Sequence, residues 1–301
     1  MTVAAPAPIV ETARAKLNLM LHVVGRRADG YHLLESLFAF TRFGDVLTIE
    51  AADSLSLTIQ GPFAPTLATS ADDNLVVRAA RRLAEAAGLP AAGAAIRLEK
   101  RIPVAAGLGG GSADAAATLR GLNRLWGLGW SPERLAALAA ALGADVPACV
   151  HSRPMWGTGV GDILRPARLA WSSLPVLLAN PRWPLATPSV FKAFREAALP
   201  FSAPLAGAEA AVTVAALAGW RNDLEAAASL CAPEVMALGR ALAHQPGVRL
   251  ARMAGSGPSW FAVFESGDDM ARACDALGAT HPGWWLQPSE IKGCASTGVE
   301  E

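Results

Sequence analysis

Several things are scarce in this chain of 301 residues, and each scarcity closes a class of function. Net charge is absent, because 26 basic and 26 acidic side chains cancel. A general polyanion binder carries a basic excess or a basic stripe. Here the densest basic pairs, Arg26–Arg27 and Arg81–Arg82, stand alone, so a nucleic-acid binder working through the Arg-rich stretch at 78–82 is disfavoured. Cysteine is sparse too. Cys149, Cys231, Cys274 and Cys294 lie far apart with no C-x-x-C pair, which suits free thiols in a reducing compartment better than a disulfide frame or structural zinc. No uncharged run approaches the ~20 apolar residues of a membrane helix. Residues 1–10 lack the basic region of a secretory signal. The expectation is a soluble cytoplasmic protein with no membrane, nucleic-acid or obligate protein partner.

Two residue types are rare enough to draw the eye. Of the 26 basic residues only Lys16, Lys100, Lys192 and Lys292 are lysines, and Tyr31 is the sole tyrosine. In a chain rich in Arg and Ala, a Lys or Tyr inside a motif is less readily filler.

What is present is ample core-forming material, 52% hydrophobic against 17% charged, in a length that suits about two domains. Leu17, Leu19 and Leu21 alternate with Asn18, Met20 and His22, as in a half-buried strand. A turn at Ala28-Asp29-Gly30 follows, then β-branched runs at 46–49 and 55–59. Residues 74–88 read as an amphipathic helix capped by Asp73 or Asn74 and stopped by Gly88. A strand is expected at 94–99, a helix at 113–126, and another from the Ser131-Pro132 cap to Gly143. Gly, Pro and Trp dominate from 147 to 188, broken by one apolar strand at 176–179. Ala-rich helices around 225–230 and 233–244 precede strands at 248–253 and 259–264. The pattern is α+β, with domains expected at 1–160 and 161–301.

The strongest local feature is Gly107-Leu-Gly-Gly-Gly-Ser112, between a strand and a helix. Glycines let successive backbone N–H groups turn into one concavity, and a helix start adds unpaired donors and a positive dipole end. Such a loop suits a polyphosphate, and the Ser112 hydroxyl can meet a phosphate oxygen or a metal. The alternative is a plain tight turn, for which four glycines in five residues are more than enough. A P-loop needs Gly-Lys-Ser/Thr, and no Lys lies between Lys100 and Lys192. A dinucleotide fingerprint needs Gly where Ser112 stands. The His-Arg-Asp and Asp-Phe-Gly motifs of protein kinases are missing.

Other candidates are ambiguous singly. Asp145, before Val146-Pro147, reads equally as a helix cap, and Lys16 as a solvated edge lysine. His32 reads as a surface histidine, and Gly255-Ser-Gly257 as a plain hairpin turn.

Their order along the chain resembles the GHMP superfamily of small-molecule kinases. Three blocks carry the resemblance: Ala13-Arg-Ala-Lys16-Leu-Asn18-Leu, Ile102-Pro-Val-Ala-Ala-Gly107-Leu-Gly-Gly-Gly-Ser112-Ala-Asp114-Ala, and Arg252-Met-Ala-Gly255-Ser-Gly257. Four further blocks resemble the branch that phosphorylates 4-diphosphocytidyl-2-C-methyl-D-erythritol. They are Gly25-Arg-Arg-Ala-Asp-Gly-Tyr31-His32, Asp73-Asn74-Leu, Leu142-Gly-Ala-Asp145-Val-Pro147 and Gly159-Val-Gly161-Asp-Ile-Leu. The likeness runs from residue 12 to 166 and resumes near 187 and at 249–264. Three departures stand out. Ala113 replaces a usual Ser, Ala254 a common Thr, and His151-Ser-Arg-Pro a stretch that is usually smaller and richer in Gly.

The resemblance implies a two-domain α+β GHMP kinase fold, N-terminal ribosomal-protein-S5-domain-2-like and C-terminal ferredoxin-like, with the active site in the cleft between the domains. It implies transfer of the γ-phosphoryl of ATP, accompanied by Mg2+, to the 2-hydroxyl of the cytidyl-linked methylerythritol, in non-mevalonate isoprenoid biosynthesis. Asp145 would accept the hydroxyl proton with Lys16 beside it, keeping the carboxylate ionised and steadying charge in transfer. Pro103, Val104, Ala105, Ala106, Gly107, Leu108, Gly109, Gly110, Gly111, Ser112 and Ala113 would hold ATP, helped by Asn74 and Lys100. Asn74 competes with its capping role, and Lys100 with a plain surface lysine. Asn18 would orient the methylerythritol hydroxyls. Tyr31, His32 and Phe191 would take the cytosine by stacking and edge hydrogen bonds, with a core role the alternative for Phe191. The implied rivals are a GHMP kinase for mevalonate, homoserine or a sugar, and an inactive nucleotide-binding protein.

Overall fold

In the computed structural model, residues 7–67, 73–89, 91–205 and 210–293 are described; Cys294 lies outside them. The chain divides into two compact units, each assembled from separate stretches. The described residues within 7–15, 43–104 and 109–152 form the first, and those within 16–42, 105–108 and 153–293 the second. Two long strands, β1 (Ile9–Arg26) and β2 (His32–Glu50), contribute to both. They are much longer than the alternation at 17–22 and the run at 46–49 suggest, because their central stretches are buried on both faces and lose the period-two signal.

The first unit layers helices on a sheet. β4 (Ala94–Glu99) lies antiparallel to the C-terminal part of β2, with Val46 opposite Glu99, and parallel to β3 (Leu55–Gln60). Helices α1 (Leu75–Ala86) and α2 (Gly110–Leu125) pack together, and α2 also packs against α3 (Pro132–Ala139) and α4 (Val146–His151). Two expected caps are made: Asn74 Oδ1 accepts from Val76 N at 2.9 Å, and Ser131 Oγ accepts from Arg134 N at 3.3 Å. The cap of α1 is therefore Asn74 and not Asp73.

The second unit holds the short strands β5 (Met155–Thr158) and β6 (Ile163–Pro166), β5 being paired with Ser36–Phe38 of β2. Beyond Thr41 of β2 come β10 (Trp285–Lys292), β7 (Ser173–Asn180), β9 (Trp260–Phe264) and β8 (Val248–Met253), all antiparallel. Its helices are α5 (Thr187–Glu196), α6 (Val214–Ala218), α7 (Leu224–Cys231), α8 (Glu234–Ala243) and α9 (Gly267–Thr280). One apolar core joins them, built around Leu177, Val190, Phe194, Leu224, Leu238, Leu242, Trp260 and Phe264. Among the described residues no helix is long and apolar enough to cross a membrane.

Candidate active site

The glycine-rich segment is shaped by left-handed backbone at Ala105, Gly107 and Gly109, with φ of 53°, 74° and 64°. Helix α2 begins at Gly110, three residues before the expected start, so Gly110, Gly111 and Ser112 form its first turn. Glycine is a poor helix former, which hid this turn from a propensity reading. Gly109 occupies the N-cap without any side-chain cap, so the first-turn N–H groups are left for an outside acceptor.

Beneath that turn lies a buried ion cluster. Lys100 is 2% exposed, and its Nζ donates to Asp45 Oδ2 at 2.5 Å and to Asp114 Oδ2 at 2.7 Å. A Cβ placed on Gly110 would sit 3.0 Å from that Nζ. Asp45 Oδ1 accepts from the backbone N–H groups of Arg101 and Ile102 at 2.5 and 2.8 Å, fixing the start of the loop. Burial works against the Lys100 charge, but the two carboxylates outweigh it and raise its pKa. Asp114 goes up as well, to about 8, through burial and the neighbouring Asp45 charge, against the pull of Lys100. Its Oδ1 has no hydrogen-bond partner. Lys100 is thus no surface lysine; it supports the loop from below.

Asp145 takes the N-cap position of α4, yet its side chain makes no capping hydrogen bond. Its carboxylate is half-buried.

The second unit carries the other candidates. Lys16 is 4% exposed, so the edge-lysine reading fails. Its N–H donates to Leu108 O at 2.9 Å, and its Nζ lies 3.3 Å from Asn18 Oδ1 and 4.6 Å above the Phe38 ring. Asn18 Nδ2 donates to Ser36 Oγ at 2.8 Å, which in turn donates to Met20 O, so the Asn18 amide is locked in orientation. Tyr31 is exposed at the turn, where its N–H donates to Asp29 Oδ1. His32 is buried, not a surface residue. Its ring stacks on Phe191 of α5 with centroids 5.1 Å apart, and edge-on against Phe194. Burial, helped by Arg26 and Arg195, lowers the His32 pKa, so the imidazole is neutral near pH 7. Phe191 is half-buried against the core, as its core reading has it.

The Gly255-Ser256-Gly257 turn does join an antiparallel pair, β8 and β9. It is more than a hairpin end, because Ser259 N donates to Ala106 O and the turn packs on Gly107. Ala113 and Ala254, which stand where the resemblance leads one to look for hydroxyls, are both buried.

The chain matches the model of the GHMP kinases N terminal domain over residues 74–153 and that of the GHMP kinases C terminal over residues 204–283. A relative from Cereibacter sphaeroides, a 4-diphosphocytidyl-2-C-methyl-D-erythritol kinase, is 48% identical over 283 residues, covering 93% of this chain and 98% of the relative. The chain belongs to this family of GHMP kinases. A solved 4-(cytidine 5'-diphospho)-2C-methyl-D-erythritol kinase superposes with a TM-score of 0.79 at 37% identity, over 95% of this chain and 100% of that one. Homoserine kinase from Cytophaga hutchinsonii shares the fold alone, with a TM-score of 0.71 at 18% identity over 97% of this chain and 98% of that one. The fold is therefore the two-domain α+β GHMP kinase fold, and the chain is a small-molecule kinase.

For this GHMP kinase, reading the sequence missed Asp45, Ser36, Asn222 and Arg252, each buried and each hydrogen-bonded within or beside a motif. Asp45 left one signal, a carboxylate opening a β-branched run that otherwise has no charge until Glu50. Asn222 left none.

Proposed function

We propose that this chain transfers the γ-phosphoryl group of ATP to the 2-hydroxyl of 4-diphosphocytidyl-2-C-methyl-D-erythritol, giving the 2-phosphate and ADP. The observation that carries the reading is the 48% identity to a kinase of that name over nearly the whole length of both chains. Asp145 accepts the hydroxyl proton as the oxygen bonds to the γ-phosphorus and the bridging bond to ADP breaks. Lys16 supplies positive charge to the transferring oxygens, and Asn18, its amide locked by Ser36, orients the acceptor hydroxyls.

Residues 103–113 hold the triphosphate, with the uncapped first turn of α2 offering N–H donors to its oxygens. Asn74 contributes beside the nucleotide from the start of α1. Lys100 acts indirectly, since its ammonium is engaged with two carboxylates. Tyr31 and Phe191 stack on cytosine, and neutral His32 reads its edge with one donor and one acceptor nitrogen. Among the described residues no three His, Cys, Asp or Glu side chains gather around a possible ion. Mg2+ would come with the phosphates, and Ser112, within the first turn of α2, would offer it a hydroxyl. Bound there, the ion neutralises phosphate charge.

The test is ADP release by purified protein with MgATP and the cytidyl substrate, mevalonate or homoserine, repeated with Asp145→Asn. Turnover is expected only with the cytidyl substrate, reduced about 10³-fold or more by the loss of the base. Turnover of another acceptor keeps the superfamily and discards the branch. Full activity in the variant removes Asp145 from its role.

A further inference from the structure

Residues 217–225 carry no motif, yet the Arg252–Gly257 block and strand β1 are both fastened to them. Asn222 is 2% exposed. Its Nδ2 donates to Met253 O at 2.9 Å and to Gly255 O at 2.7 Å, while its Oδ1 accepts from Leu224 N at 3.0 Å. The same segment is stitched to β1: Leu21 N donates to Arg221 O, Asp223 N to Leu21 O, and Val23 N to Asp223 Oδ2. Arg252, also buried, donates to the carbonyls of Leu19, Leu217 and Trp220. Glu225 accepts from Met253 N at 3.0 Å.

What Asn222 holds is in direct contact with the glycine-rich segment. Gly255, at φ +56°, is so placed that a Cβ on it would lie 3.1 Å from Gly107 O and 3.5 Å from Asn18 Oδ1. Conversely, a Cβ on Gly107 would lie 2.5 Å from Gly257 O and 2.6 Å from Ala254 O. The two turns meet backbone to backbone, with no side chain between them to absorb a displacement.

We propose that Asn222 is a positioning residue for the nucleotide: by holding the Met253 and Gly255 carbonyls it sets the Gly255–Gly257 turn and, through it, the backbone at Gly107. The residue type fits the task. A carboxamide offers two donors for two carbonyls and an acceptor for an amide, whereas a carboxylate of the same shape offers no donor. Removing those donors takes a hydrogen bond from each of the two carbonyls at the base of the turn.

The inference rests on the kinase reading, and its test keeps the two apart. Asn222→Asp is compared with Leu242→Ala, a core truncation on α8 chosen to lower the melting temperature without touching this turn. Steady-state kinetics vary MgATP and the cytidyl substrate separately, and a fluorescent ADP analogue is titrated without turnover. In Asn222→Asp, the KM for MgATP and the Kd of the analogue are expected to rise about tenfold, with the KM for the cytidyl substrate moving less than about twofold. Leu242→Ala should leave all three within about twofold well below its melting temperature. Wild-type nucleotide affinity in Asn222→Asp, or the same change in both variants, overturns the inference. Should Asn222→Asp not be recovered folded, Asn222→Ser, which keeps one donor, is read by the same criterion. A wild-type protein inactive on the cytidyl substrate overturns the kinase reading instead, while the analogue titration still decides the role of Asn222.

Discussion

The two units support their parts of the glycine-rich segment with different chemistry. Under Gly110 the first unit places ions: one ammonium between Asp45 and Asp114, which carry a surplus negative charge only once Asp114 loses its proton, at a pKa of about 8. Behind Gly107 the second unit sets donors against carbonyl dipoles: the Asn222 amide and the Arg252 guanidinium face five backbone carbonyls. An ion cluster in low dielectric is strong while balanced and costly once a partner is lost. It also responds to pH, because its surplus charge can be cancelled by a proton on Asp114. The carbonyl clamp has no such option. Burial lowers Arg252 only to about 10, with Glu225 opposing, so it keeps its charge throughout the physiological range.

That contrast can be broken most forcefully at Lys100. Lys100→Met leaves two buried acidic groups, Asp45 and the mostly protonated Asp114, without a cation and should cost about 3–5 kcal/mol in urea unfolding at pH 7. A cost below about 1 kcal/mol, the range of exposed ion pairs, would make the cluster a bystander. Next in size is Arg252→Lys, which keeps the charge but cannot span three carbonyls from one plane. A loss of about 2 kcal/mol is expected by the same measurement. No loss would mean that charge alone, not the fork of donors, holds that segment.

The smallest effect distinguishes the two chemistries by pH. The folded Asp114 pKa is raised to about 8 while an unfolded Asp titrates near ~3.9. Between those values the folded chain holds the extra proton, so this group makes stability fall as pH rises through the window. Asp114→Asn should remove that slope and gain about 1 kcal/mol on wild type by pH 8. An equal difference between the two proteins at pH 5 and pH 8 would sink the claim that Asp114 carries the surplus charge.

Short, bounded elements were legible in the sequence. The strand at 94–99 and the caps Asn74 and Ser131 stand where local chemistry puts them, because each depends on neighbours within a turn. Helices α5 and α9 and strand β10 were not. α5 opens with Thr187-Pro188 after a Pro-rich run and buries only Val190 and Phe194. α9 likewise buries just Ala273 and Leu277, too few to set a helical period. β10 contains Pro288, which argues against an inner strand. It is tolerated because β10 pairs along its length with β7 but meets β2 only at Ile291, leaving the other edge at Pro288 without a ladder to interrupt. In the candidate site, the motifs that carry Lys16 and the glycines stand out by residue type and spacing. Asn222 and Arg252 do not, since their role is fixed by carbonyls distant in sequence that no side-chain pattern encodes.

The close approach of Gly107 to the Ala254–Gly257 backbone has a consequence for how the chain acquires its competence. A segment read as the ATP loop takes its mould from a hairpin about 150 residues downstream, and contacts of such sequence separation are slow to form because loop closure precedes their reward. During synthesis, the first half of the molecule would leave the ribosome with its glycine-rich segment still unshaped. The final form of that segment would come last, and only once the strands β8 and β9 have paired.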